Sequence, residues 1–100
     1  MTIDRDARYV VETVASGPLT IVQKVVANVF DPLGFKHEEK IGEDEGDINV
    51  FIYADDAQGI ERVLAGIDRI DRIYGDEAVY DRREKRMVAY SRDEIKDALC

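Results

Sequence analysis

Residues 48–54, Ile-Asn-Val-Phe-Ile-Tyr-Ala, decide how the rest of the chain is arranged. β-Branched and aromatic residues dominate this stretch, and apolar side chains fall on both of the faces that alternate along an extended chain. Such a pattern is typical of a strand that lies inside a sheet and is well covered. The flanking segments must therefore supply its neighbouring strands and the helices that pack on it.

The segment before this strand predicts its hairpin partner. Residues 35–41 alternate, with Phe35 and Ile41 at the two ends of one side and charged residues on the other side. The intervening residues 42–47, Gly-Glu-Asp-Glu-Gly-Asp, are typical of a turn. We therefore expect an antiparallel hairpin whose first strand has one highly charged face.

A first helix is predicted upstream of the hairpin. Apolar residues recur at helical spacing from Leu19 to Phe30. Ser16 can serve as N-cap, and Pro18 suits the first turn because its missing N–H needs no partner there. Pro32 ends the helix, since the residue before a proline avoids helical geometry.

A second helix is predicted downstream. Asp55 or Asp56 offers an N-cap, and Gly75 is a suitable stop. The buried stripe consists of Ile60, Val63, Leu64, Ile67, Ile70 or Asp71, and Ile73 or Tyr74. Asp68 and Arg72 are four residues apart, so we expect them to pair on the exposed side.

Further elements are predicted at both ends of the chain. Residues 8–14 are rich in β-branched residues and indicate a first strand. Two short strands are expected at 78–80 and 87–90, around a basic connection. The sequence Ser-Arg-Asp-Glu at 91–94 is a capping box for a last helix that runs through Leu99.

This order of elements, β-α-β-β-α-β followed by a strand and a helix, predicts an α+β ferredoxin-like sandwich. We expect one domain over residues 1–100, with a core at about 8–81 and an extension at 82–100. Two helices should lie on one sheet face. If Tyr9, Val11 and either Phe51 or Tyr53 occupy the other face, the chain should form a homodimer or another homo-oligomer.

Composition narrows the classes of partner. The formal net charge is -8, so binding to nucleic acids or to anionic membranes is disfavoured. No apolar run approaches the roughly 18 residues of a membrane span, and the N-terminus does not resemble a signal peptide. We therefore expect a cytoplasmic protein. The single cysteine, Cys100, cannot form an internal disulfide.

Three groups of charged residues are candidate sites, and each also has a possible structural role. The acidic loop 43–47 could bind Ca²⁺ or be a solvated turn, while His37 and Glu39 supply too few ligands for a zinc site. The basic cluster 82–86 could bind an anion or be a charged turn. The sequence contains no recognisable nucleophile triad or phosphate loop, so we expect no catalytic residue, no metal and no cofactor.

The pattern of Gly17, Leu19 and Gly34 around the first helix resembles the ACT domain family, and residues 48–73 are similar to its third strand and second helix. The chain departs from the family pattern at Ala-Ser-Gly-Pro, residues 15–18, and in having Phe-Lys after Gly34. The resemblance implies a paired fold that binds small effectors at the first turn.

The resemblance places a ligand site at Ser16, Gly17 and Leu19, where backbone N–H groups would receive a carboxylate. It implies a regulatory module that binds a small molecule such as an amino acid. The alternative is that these residues only start a helix. The protein would then be a self-associating or accessory interaction subunit.

Overall fold

The computed structural model describes residues 7–99. Within them, the strands are β1 (Tyr9–Ser16), β2 (His37–Ile41), β3 (Asp47–Ala54), β4 (Ala78–Asp81) and β5 (Arg86–Ala89). The helices are α1 (Leu19–Phe30), α2 (Ala57–Ile67) and α3 (Arg92–Leu99). Residues 1–6 and Cys100 lie outside the described residues.

The strands form an antiparallel sheet in the order β2-β3-β1-β4-β5. β3 lies between two neighbours, in the inner position that its apolar sequence predicts. β2 and β3 form the expected hairpin, and β5 extends the sheet beyond β4. The predicted α+β class is confirmed, and the strand order is compatible with the expected ferredoxin-like fold.

The helices pack on one face of the sheet and form the hydrophobic core with it. Val11 of β1 and Val50 and Ile52 of β3 are completely buried on this face. They share one core with Phe30 of α1 and Ile60 of α2. Burying each such side chain contributes about 1.5–3 kcal/mol relative to leaving it exposed. This core therefore holds the helices on the sheet.

Helix α1 begins later than the sequence predicts. Ser16 is not the N-cap but the last residue of β1, registered with Asp47 of β3. Pro18 occupies the N-cap position, and its carbonyl accepts a hydrogen bond of 3.1 Å from the N–H of Val22. The prediction of Ser16 as N-cap is wrong because sheet pairing continues to the end of β1.

Helix α2 begins as predicted but ends early. Oδ1 of Asp56 accepts a hydrogen bond of 2.8 Å from the N–H of Gly59, so one of the two predicted N-caps is confirmed. The helix ends at Ile67 rather than at Gly75. The chain then returns to the sheet, where Ile73 forms a bridge with β1. Ile73 therefore contacts the core from outside the helix.

The pair expected between Asp68 and Arg72 does not form, because Asp68 binds a residue distant in sequence. Both of its carboxylate oxygens accept hydrogen bonds from Nη1 of Arg92, at 2.7 and 2.9 Å. Nε of Arg92 also donates to the buried carboxylate of Glu77, at 2.6 Å. Arg92 therefore ties α3 to the end of α2 and to the segment before β4.

The C-terminal extension packs into the same core. Oγ of Ser91 accepts a hydrogen bond of 3.3 Å from the N–H of Glu94, as the predicted capping box requires. The carboxylate of Glu94 accepts a second hydrogen bond from the N–H of Tyr90, at 2.9 Å. Ile95 of α3 and Ala89 of β5 are completely buried in the core.

The sheet face opposite the helices is called the open face. Its members alternate with the core residues: Val10, Glu12 and Val14 of β1, Glu38 and Lys40 of β2, Asn49, Phe51 and Tyr53 of β3, Ala78 and Tyr80 of β4, and Met87 of β5. Tyr9 and Val11, which we expected on this face, instead belong to the core. Alternation along β1 therefore puts its other set of residues, around Glu12, on the open face.

Candidate functional site

The first turn, where the sequence predicts a ligand site, is closed by its own hydrogen bonds. The N–H of Ser16 donates to the carbonyl of Arg72 at 2.9 Å, and the N–H of Gly17 donates to the carbonyl of Gly46 at 3.0 Å. Leu19 begins α1, and its side chain packs partly buried against the core. The structure thus brings these predicted residues together, but the two N–H groups already have partners.

Arg72 lies across this turn. Its Nη1 donates to the carbonyl of Ser16 at 3.1 Å. Gly17 has a φ of +126°, and an ideal Cβ at this position would lie 2.4 Å from the same Nη1. A larger residue at position 17 would therefore displace the guanidinium and would strain the backbone. The sequence reasoning had paired Arg72 with Asp68, so it missed this contact.

The acidic loop at residues 43–47 is a turn that hydrogen bonds hold in place. The N–H of Gly42 donates to the carbonyl of Asp47 at 2.8 Å, and the N–H of Asp47 donates to the carbonyl of Asp44 at 3.1 Å. The hydroxyl of Tyr74 donates to the carboxylate of Asp47. These contacts anchor the loop to the segment that follows α2.

Residues 7–99 contain neither a metal-binding cluster nor a membrane-spanning helix. No group of three or more His, Cys, Asp and Glu side chains is placed to hold a metal ion in this part of the chain. Of its helices, none is long and apolar enough to cross a membrane.

His37 lies between two carboxylates at the start of β2. Its Nδ1 is 2.5 Å from Oε2 of Glu39, whose side chain is only 6% exposed, and its Nε2 is 2.9 Å from Oδ1 of Asp31. The hydrogen bond with Glu39 raises the pKa of His37 most strongly, and the bond with Asp31 adds to the effect. Because both ring nitrogens are engaged, His37 joins β2 to the end of α1 and offers no free base.

Residues 82–85 of the basic cluster form the turn between β4 and β5, and Arg86 begins β5. The carboxylate of Asp81 accepts hydrogen bonds from the N–H groups of Arg83 and Glu84, at 2.9 and 3.0 Å. It also accepts one from Nη2 of Arg8 at 2.9 Å, and the hydrogen bonds with Arg8 are the main reason that the pKa of Asp81 falls to about 2. These contacts give this part of the cluster a structural role.

Arg82 differs from the rest of the basic cluster because its side chain reaches across the open face. Its Nη1 donates to the carbonyl of Ala7 at 2.8 Å, and its guanidinium carbon lies 5.2 Å from the ring centroid of Tyr53. β1 lies between β3 and β4, so the side chain crosses β1 to reach that ring. Val10 in β1 is accordingly only 7% exposed.

A belt of apolar and aromatic side chains runs across the strands of the open face. It consists of Val10 in β1, Tyr53 in β3, Tyr80 in β4 and Met87 in β5, which are neighbours in the sheet register. Tyr53, Tyr80 and Met87 are partly exposed. This aromatic belt presents the kind of amphipathic rings that protein interfaces favour.

Glu12 lies beside the aromatic belt, in a recess of about 280 Å³. Val14, Phe51 and Ala78 line the recess together with the polar residues Asn49 and Asp76. Burial raises the pKa of Glu12. Within residues 7–99, Glu12 has no ion-pair partner. The recess therefore places the carboxylate of Glu12, without an ion-pair partner in residues 7–99, among both apolar and polar side chains.

No family model, curated protein or solved structure matches this chain. The function must therefore be inferred from the geometry of its surfaces. Of the surfaces described above, the open face combines contiguous, partly exposed apolar side chains with an unpaired charge.

Proposed function

We propose that this protein is a non-catalytic interaction module of ferredoxin-like fold that self-associates through its open face. The strand order β4-β1-β3-β2 supports the fold, because it is the order of the split β-α-β sandwich, to which β5 and α3 are additions. The observation that carries the functional proposal is the aromatic belt. None of the helices in residues 7–99 packs on it.

Clustering distinguishes the aromatic belt from other exposed apolar residues. Ile41 is 73% exposed on the edge strand β2, and Tyr90 is 67% exposed after β5, but neither belongs to the belt. Isolated exposed residues are common on monomers, whereas contiguous apolar surfaces mark interaction sites. Tyr53 and Tyr80 flank Val10 in one row, so a second protein surface could bury them together.

The size of the open face sets the expected strength of association. Five strands cover about 20 Å, and an eight-residue strand is about 24 Å long, so two faces would bury on the order of 1,000 Å² in total. This area is near the lower limit for a specific interface. An interface of this small size is typical of weak association, so we expect a dimer that dissociates on dilution.

Sedimentation velocity tests the proposal directly. From about 5 µM to about 500 µM, the average mass should rise from 11.4 kDa towards twice that value. Tyr80→Ser should raise the dissociation constant at least about tenfold, because it removes a central ring of the belt. Tyr90→Ser is the matched control and should leave the dissociation constant unchanged. A wild-type protein that stays at 11.4 kDa throughout would refute self-association.

A second candidate function is the regulatory, ACT-like module that binds an amino acid at Ser16, Gly17 and Leu19. The observation that favours it is the guanidinium of Arg72, which lies against this turn and could receive a carboxylate. Since the N–H groups of Ser16 and Gly17 have backbone partners, Arg72 would have to be the main receptor.

Thermal unfolding with each amino acid in turn tests this second candidate. A ligand present at about 100 times its dissociation constant should stabilise the fold by about 2.7 kcal/mol. Gly17→Val and Arg72→Gln should each abolish the shift. If no amino acid raises the unfolding temperature of the wild type, this function is excluded.

A further inference from the structure

Glu12 lies at the centre of the open face. β1 is the third of the five strands in the sheet, and Glu12 registers with Phe51 of β3 on one side and with Ala78 of β4 on the other. Val10, which belongs to the aromatic belt, is two residues away along the same strand and therefore shares this face. A partner that packs on the aromatic belt therefore also covers the carboxylate of Glu12.

The charged groups around Glu12 are held by other partners. On the open face and at the recess, the titratable and charged side chains besides Glu12 are Glu38 and Lys40 of β2, Tyr53 of β3, Asp76 before β4, Tyr80 of β4 and Arg82 after β4. Nζ of Lys40 lies 3.5 Å from the carboxylate of Glu38. Nη1 of Arg82 donates to the carbonyl of Ala7 at 2.8 Å. Both cations are therefore engaged away from Glu12 in the fold.

Covering Glu12 changes the balance between its two protonation states. An ionised carboxylate that leaves water without a positive partner is costly, whereas the protonated carboxyl group is neutral and costs far less to bury. The recess of about 280 Å³ already withdraws the side chain partly from water, and this desolvation raises the pKa of Glu12. A partner that completes the burial should raise the pKa further.

We infer that self-association through the open face is coupled to proton uptake by Glu12, so that acidification favours the dimer and a higher pH favours the monomers. The inference rests on the proposed self-association and adds its regulation. A carboxyl group whose pKa is higher in the dimer than in the monomer binds protons on association, so a fall in pH shifts the equilibrium towards the dimer. Below the pKa of the monomer the effect levels off, because Glu12 is then protonated in both states.

Sedimentation velocity at about pH 7.5, 6.5 and 5.5 tests the coupling, over about 5 µM to about 500 µM protein. Carboxylates with ordinary pKa values stay largely ionised in this range. The dissociation constant of the wild type should fall on acidification, by up to about tenfold per pH unit for each Glu12 in the dimer. Glu12→Gln carries a neutral side chain of the same size. It should dimerise at least about tenfold more tightly than the wild type at pH 7.5 and should lose the pH dependence.

Two variants serve as controls. Glu61→Gln removes one negative charge from the exposed surface of α2, so it measures the effect of net charge alone. His37→Gln removes a group that itself titrates in this range, on the side of β2 where its ring contacts Glu39 and Asp31. Both variants should keep the pH dependence of the wild type. Circular dichroism at each pH establishes that all the proteins are folded.

The possible failures are distinguishable. A wild-type dimer whose dissociation constant does not change with pH would mean that Glu12 is neutralised by a cation or stays in water, and it would overturn the proton coupling. A Glu12→Gln variant that keeps the wild-type pH dependence would overturn it as well. Both results leave self-association standing. A wild-type protein that stays monomeric at all three pH values would overturn the coupling and the self-association together.

Discussion

Strand β3 has two apolar faces, and the helices cover only one of them. Val50 and Ile52 are completely buried in the core, whereas Phe51 and Tyr53 stay partly exposed on the open face. The covered face of β3 is wholly aliphatic, whereas the open face carries aromatic rings and the polar Asn49. The comparison teaches that alternation along a strand shows which residues share a face, but not which face the helices will cover.

The connections between strands explain why the two faces differ. α1 connects β1 to β2 and α2 connects β3 to β4, and both helices contribute to the same core. Crossovers of one hand put both helices on one side of the sheet. α3 adds Ile95 to that side as well. In residues 7–99, the helices therefore leave the open face uncovered.

The largest expected effect comes from removing a side chain beneath the helices. Ile52→Ala should lower the free energy of unfolding by about 2–5 kcal/mol, because a completely buried side chain is lost and leaves a cavity. Phe51→Ala, on the adjacent open position, should cost only about 1 kcal/mol in the monomer. Urea unfolding at low protein concentration measures both. Equal losses would mean that the two faces are equally covered within one chain.

A smaller effect is expected from adding one methyl group where α2 packs against α1. An ideal Cβ at Gly66 in α2 would lie 2.7 Å from the ring of Phe30, so Gly66→Ala should destabilise the fold by about 1–3 kcal/mol. At an open helical site, the same change would usually be stabilising. A double-mutant cycle with Phe30→Leu should show coupling, because the smaller side chain makes room. Additive costs would contradict the close contact.

The smallest effect concerns the contact of His37 with Glu39 and Asp31. The pKa of His37 is raised in the fold, so its stabilising charge is fully present below the unfolded value of about 6.5 and is lost as pH rises through the higher folded value. The free energy of unfolding should fall by about 1 kcal/mol across this alkaline window. His37→Gln should remove this pH dependence. If His37→Gln and the wild type show the same dependence of unfolding free energy on pH, the ion pairs of His37 do not contribute to stability.

The local elements were largely predictable because their signals are short in range. The Asp56 cap, the Ser91 capping box and the strand at 48–54 all depend on neighbouring residues. The start of α1 was missed because the pairing of Ser16 with Asp47 is a contact between distant segments. The prediction for the end of α2 was wrong for the same reason.

The candidate surface was less predictable, since it depends on side chains from four strands. Glu12, flanked by Val10 and Val14, was a signal for a charged residue in an apolar strand, but sequence reasoning did not use it. The reach of Arg82 over Tyr53 cannot be read from spacing, because β1 separates their strands. The prediction that Tyr9 and Val11 lie on the open face was wrong. Alternation along a strand does not show on which side of the sheet the helices pack.

An NMR dilution series on the ¹⁵N-labelled protein tests the central claim most directly. On going from about 500 µM to about 10 µM, amide shifts should change along the open face, at residues such as Val10, Glu12 and Tyr53. They should stay constant at Val22 and Ile60 in the covered core. Concentration-dependent shifts confined to the edge strand β2 around Ile41, or shifts that do not change at all, would contradict self-association through the open face.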